Sequence, residues 1–281
     1  MRVVYGEKMV ADQLHHISPS SYKPRLLVAH LRQLGLPLEL HEPVAVSRED
    51  LCLAHHPEYV NNVLDCIEEN GFGNKDPDVA ATLPYTSGSF YQACLLALQH
   101  GMAASFTSGF HHARYSNGGG FCTFNGLMVA ARRLFMEQKV KRLLILDLDY
   151  HYGDGTDDIL NTLQVDYVRH ETFGDRFKRT AQAVDYLQSL ERILDSLEPV
   201  DLVLYQAGAD VHIDDPLGGL LTTEQMARRD RLVFTATHRL GLPVAWNLAG
   251  GYRRDENDTI LPVLKLHEQT YRIALEIYAG A

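Results

Sequence analysis

Asp149 and His151 stand two residues apart in 143-LLILDLDYHYGDGT-156, directly after an apolar run. In an extended chain that spacing sends both side chains to the same side. Asp210 follows a second apolar run, in 206-QAGAD-210. Two carboxylates and one imidazole make a three-ligand set for a divalent cation, with positions open for water and substrate. Such oxygen-rich ligation with one nitrogen suits zinc, and also ferrous iron or manganese. The plain alternative is a polar turn from Asp147 to Asp154, with Gly153 and Gly155 as its turn residues.

A second group lies in 108-SGFHHARYSNGGGFCTFN-125. Adjacent histidines occur three times, at His15–His16, His55–His56 and His111–His112, so adjacency alone selects nothing. The first pair reads as part of an N-terminal loop. The second precedes Pro57 and reads as the structural start of a helix. Only His111–His112 leads to the run Gly118–Gly120, which lets backbone approach a ligand closely. A catalytic imidazole needs an acceptor to orient it. Asp147 and Asp154 are not required as metal ligands and are free for that task. Tyr252, after Gly250–Gly251, can swing its hydroxyl towards a polarised carbonyl. With 14 tyrosines in the chain, a packed tyrosine is the ordinary alternative.

These residues must be held by a scaffold of alternating strands and helices. Val3–Tyr5, 141–147, 201–206 and 243–248 read as strands, the last three as unbroken apolar runs of the kind buried on both faces of a parallel sheet. Helices are expected over 25–34, 58–69, 90–101 (capped near Ser87 or Ser89), 124–138, 183–196, 222–240 and 271–278. This predicts an α/β fold: one domain over 1–281, with a central parallel sheet covered by helices on both faces. Sites on such sheets form beyond the carboxyl ends of the strands. Asp147–Asp154, 206-QAGAD-210 and 248-LAGGYR-253 all fall there.

Composition narrows the function classes. The chain has 281 residues, 46% hydrophobic and 22% charged, as in ordinary globular proteins. A net charge of −10 speaks against nucleic acid as a partner and mildly favours a cationic or neutral substrate. Cys52, Cys66, Cys94 and Cys122 are scattered, without a CxxC pair, so neither a zinc ribbon nor a disulfide framework is indicated. No signal-peptide core and no membrane-length apolar run is seen, so a reduced cytoplasmic location without membrane association is expected.

The ordered motifs together resemble the zinc-dependent histone deacetylase family, on the arginase/deacetylase fold, and look closest to its bacterial and class IV-like members. They are HPEYV at 56–60, LPYTSGSFYQACLLAL at 83–98, HHA at 111–113, GFCTFN at 120–125, DLDYHYGDGT at 147–156, QAGAD at 206–210, LTTEQMARRDRLV at 221–233 and LAGGYRRD at 248–255. The resemblance implies that Asp149, His151 and Asp210 hold zinc and that His111 and His112 are the general base and acid. It pairs Asp147 with His111 and Asp154 with His112, and makes Tyr252 the oxyanion donor. It makes Gly120, Phe121, Gly250 and Gly251 substrate-binding residues, with Gly120 and Phe121 on the acyl-lysine channel, and implies a structural potassium ion near Asp147. The implied activity is removal of an acetyl or related acyl group from lysine.

Several positions depart from that family. Tyr152 replaces a second polar residue, Tyr150 a small aliphatic one, and Ser108-Gly109-Phe110 the usual Pro-Gly approach. In 165-VDYVRHETFGDRFKRT-180 the second channel aromatic is not identifiable, Phe173 and Phe177 being the candidates. Three other functions compete: deacetylation of acetylated polyamines or another small amine, a catalytically silent acyl-lysine binder, and a two-manganese ureohydrolase. The filled catalytic positions oppose the silent binder. The single ligand set, with Tyr252, opposes the ureohydrolase.

Overall fold

The computed structural model describes residues 1–12 and 17–279; His15–His16 lies outside them. The elements run β1 (Arg2–Val4), α1 (Lys23–Gln33), β2 (Glu39–His41), α2 (Arg48–Leu51), α3 (Pro57–Leu64), α4 (Pro77–His100), β3 (Met102–Ser105) and α5 (Gly126–Met136). They continue with β4 (Leu143–Asp147), α6 (Asp154–Thr162), β5 (Val168–Thr172), α7 (Ala183–Asp195), β6 (Leu202–Gln206), α8 (Thr223–Arg239), β7 (Val244–Asn247) and α9 (Leu261–Ala279). The strands form one sheet in the order β2-β1-β3-β7-β6-β4-β5, and every pairing is parallel.

Alternation along the strands splits the core in two. Leu144, Leu146, Val203, Tyr205 and Trp246 pack on one face with residues of α1, α7, α8 and α9. Leu143, Ile145, Leu202, Leu204 and Ala245 pack on the other with α3, α4 and α5. Both faces are therefore dry, which is why these strands read as continuous apolar runs.

Each apolar run ends on a polar residue, and the register lines those residues up. Ser105, Asn247, Gln206, Asp147 and Thr172 are successive partners across β3, β7, β6, β4 and β5. All are buried. Buried polar groups need partners, so this row marks the sheet edge where a polar site is built.

The structure corrects several boundaries. The helix expected from Phe90 begins at Pro77, capped by Asp76, and carries Pro84 in its interior. Ser87 and Ser89 are thus buried inside it, and Ser89 bonds Ser105 at 2.7 Å. The helix expected to run to Glu69 stops at Leu64, with Cys66 in the left-handed region at φ 57°. The last helix starts at Leu261, ten residues before its expected start at Tyr271.

His55 is structural, as expected. It is fully buried, its Nδ1–H donates to the Arg114 carbonyl at 2.9 Å, and its Nε2 accepts the Asn125 N–H at 2.8 Å. That second bond requires the neutral ring. Burial lowers its pKa from 6.5 to about 4. A base depressed in the folded state binds its proton more tightly when unfolded, so stability rises with pH across that window. Urea unfolding of wild type and His55→Gln at pH 5 and pH 7 checks this: wild type should lose more stability on acidification than the variant.

Candidate active site

The metal-ligand candidates meet. One donor atom each from Asp149, His151 and Asp210 lie within 4.8 Å of one another. His151 Nδ1 stands 2.9 Å from Asp210 Oδ2 and 3.2 Å from Asp149 Oδ1. The route differs from the extended strand expected. Residues 149–151 form a bend, and the His151 N–H donates to Asp149 Oδ1 at 2.9 Å. Backbone also aims Asp210, whose Oδ1 accepts the Tyr150 N–H at 3.1 Å.

Both carboxylates are buried, Asp210 completely. Burial and the charge of Asp149 push Asp210 up to about 7. Burial also works against ionised Asp149, but His111 and His151 hold it below the usual carboxylate range. Two carboxylates that share one imidazole at this distance suit a divalent cation, which would neutralise them both.

Two imidazoles sit beside this set, their rings 4.1 Å apart. His111 Nδ1–H donates to Asp147 Oδ2 at 2.7 Å, and His112 Nδ1–H to Asp154 Oδ1 at 2.6 Å. Asp154 begins α6, where the helix dipole favours a carboxylate, and its other oxygen takes Arg114. His111 Nε2 is 3.7 Å from Asp149 Oδ1. Burial alone would depress His111, yet Asp147 and Asp149 raise it to about 9. His112 moves the other way, lowered by burial and by the neighbouring His111.

Tyr252 follows the Gly250–Gly251 turn and faces Phe121, with ring centres 5.6 Å apart. Burial first, then Asp210 and Asp149, raise its hydroxyl pKa. Gly250 has φ 54°, and a Cβ there would lie 2.5 to 2.7 Å from the Asp210 carboxylate atoms. Only glycine lets this turn close over the ligand. Gly120 lies against His112 and Gly251 against Val263. Phe121 also meets Phe72, at 6.2 Å.

Phe173 and Phe177 are not channel walls. Both are buried in the core against Tyr186, at 4.8 and 5.5 Å. Tyr150 stands beside His151 instead, 5.4 Å ring to ring, under the Lys178 ammonium.

Near Asp147, where a potassium ion is expected, the carboxylate is held by protein groups. Oδ1 accepts from Asp149 N–H and from Gln206, both at 3.2 Å, and Oδ2 accepts from His111. His170 Nε2 fills the remaining side at 3.7 Å from Oδ2.

Sequence reasoning missed the residues that hold the loops. Buried Lys23 donates to the carbonyls of Leu248 (3.1 Å) and Gly250 (2.5 Å). Buried Arg229 donates to those of Leu148 (3.3 Å) and Gly208 (2.6 Å), tying both ligand loops together. Asp215 accepts the Tyr252 N–H at 2.7 Å, and Gln206 joins Phe110 N–H to Asp147.

The chain matches the family model of the histone deacetylase domain over residues 16–177 and 170–264. It is 32% identical to an uncharacterised protein of Picosynechococcus sp., over 91% of this chain and 92% of that one. It is 26% identical to histone deacetylase 2 of Arabidopsis thaliana, over 76% of this chain but 63% of that protein. A probable deacetylase of Methanothermobacter thermautotrophicus is 26% identical over 83% of this chain and 80% of its own length. The crystal structure of the HDA15 HD domain superimposes with a TM-score of 0.79 at 18% identity, covering 100% of this chain and 91% of that one. At that identity the likeness shows the fold, an arginase/deacetylase-like α/β architecture.

Proposed function

Because the chain belongs to the histone deacetylase family, we propose that it is a zinc-dependent amidohydrolase that removes an acetyl or related acyl group from lysine side chains. The observation that carries the reading is the convergence of Asp149, His151 and Asp210 within 4.8 Å, next to two imidazoles each held by its own carboxylate. The whole of 1–281 is taken as one catalytic domain.

Asp149, His151 and Asp210 would hold the metal, whose chemistry is to polarise the amide carbonyl and lower the pKa of a bound water. His112, depressed by burial and by His111, starts neutral and takes the water's proton. His111 is oriented by the Asp147 carboxylate, which receives its Nδ1–H. Tyr252 donates its O–H to the oxyanion as it forms. A protonated imidazole of the pair then donates to the leaving amine. Gly120 and Phe121 border the acyl-lysine channel, and a largely apolar cavity between Phe72, Leu83, Phe110 and Phe121 lies alongside.

Deacylation of the metal-analysed protein tests this, on acetyl-lysine, trifluoroacetyl-lysine and longer acyl-lysine peptides and on acetylated polyamines. Turnover of lysine substrates should be abolished by a chelator and restored by zinc. Bound metal without turnover of any lysine substrate would overturn the lysine assignment, and turnover of acetylated polyamines alone would make the protein a small-amine deacetylase. Failure of zinc to restore activity where ferrous iron or manganese succeeds would overturn the metal assignment.

A further inference from the structure

His170 belongs to β5, the strand beside β4, and its side chain is 2% exposed. Its Nδ1–H donates to Asp157 Oδ1 at 2.7 Å. Its Nε2 has no hydrogen-bond partner among the described residues and points to within 3.7 Å of Asp147 Oδ2. That is too long for a hydrogen bond and short enough for an ion pair. The other Asp157 oxygen accepts the hydroxyl of Tyr152, a residue at the surface. A polar chain thus runs inward from Tyr152 through Asp157, His170 and Asp147 to His111. None of its outer three members has a place in the chemistry described above.

Backbone packs directly against these groups. Gly153 closes over them so tightly that a Cβ there would lie 2.5 Å from Asp147 Oδ2 and 2.9 to 3.0 Å from the His170 ring. We propose that His170 is a positioning residue for His111: it braces the Asp147 carboxylate from the side opposite the catalytic imidazole, where a potassium ion would otherwise be sought. Asp157 fixes the ring, and Tyr152 fixes Asp157. Both carboxylates offset the burial of His170 and raise its pKa. Tyr152, which breaks the family pattern in the sequence, is then the outer anchor of the brace.

The kinetic consequence rests on the deacylase reading; the physical one does not. Zinc-loaded wild type is melted in potassium, sodium and choline chloride of equal ionic strength. Equal Tm values are expected, whereas a rise specific to potassium would overturn the proposal, since a bound ion stabilises the state that binds it. The proton shared by His111 and Asp147 is followed by NMR in ¹⁵N-histidine-labelled protein; it should be lost or shifted in His170→Phe, and an unchanged resonance would overturn the proposal without reference to any substrate. In turnover, His170→Phe should keep zinc content and KM and lose kcat by about tenfold. His170→Gln, which can return an amide N–H to Asp147, should recover most of it. An unchanged kcat in His170→Phe, or equal losses in both variants, would count against a positioning role.

Discussion

Metal-free Asp210→Asn should be more stable than metal-free wild type above pH 7, yet gain nothing from added zinc and turn over no substrate. The carboxylate of Asp210 is completely buried and crowded by Asp149, and burial with that neighbouring charge raises its pKa from 3.8 to about 7. An acid raised in the folded state binds its proton more tightly folded than unfolded. The metal-free protein therefore loses stability as pH rises from the ordinary value through about 7. Asparagine keeps the acceptor that receives the Tyr150 N–H and removes the charge. The same substitution deletes a ligand. A site a thousandfold above its Kd would stabilise wild type by about 4 kcal/mol, and the variant should forfeit that gain. Melting curves of both proteins across pH, with and without zinc, separate the two effects. Asp149→Ala is the companion test: stoichiometric metal retained in that variant would remove Asp149 from the ligand set.

That opposition between stability and ligation shows what a reader of the sequence can find. Asp149, His151 and Asp210 were legible because each follows an apolar run that can only be an interior strand. The pairing of His111 with Asp147 and of His112 with Asp154 came from resemblance, and the distances agree. The period-2 argument brought Asp149 and His151 to one side by the wrong geometry, since a bend and not a strand brings them together. Strand β3 escaped notice because Met-Ala-Ala-Ser lacks the β-branched and aromatic residues that mark strands. The first half of α4 was hidden by Pro84, which usually ends a helix. Lys23, Arg229 and His170 were illegible for another reason. Lys23 acts on carbonyls more than 220 residues away, and no local pattern encodes such a contact.

Tyr252→Phe should fold, bind zinc normally and turn over about a hundredfold more slowly, the loss that follows removal of one oxyanion donor. The expectation depends on how the backbone around Tyr252 is fixed. Lys23 grips the Leu248 and Gly250 carbonyls from beneath, Asp215 takes the Tyr252 N–H, and Phe121 faces the ring. None of these contacts uses the hydroxyl, so phenylalanine should keep the ring where it is. KM should move little, because the donor acts on charge that develops only in the transition state. Zinc content, melting temperature and steady-state kinetics on one acyl-lysine peptide, measured on the same preparation, decide the matter. A large rise in KM at constant kcat would make Tyr252 part of the channel wall, and unchanged kinetics would leave the oxyanion to the metal alone. A fall in kcat with intact metal would place the hydroxyl at the reacting carbonyl, and the Gly250–Gly251 turn would then be the device that carries it there.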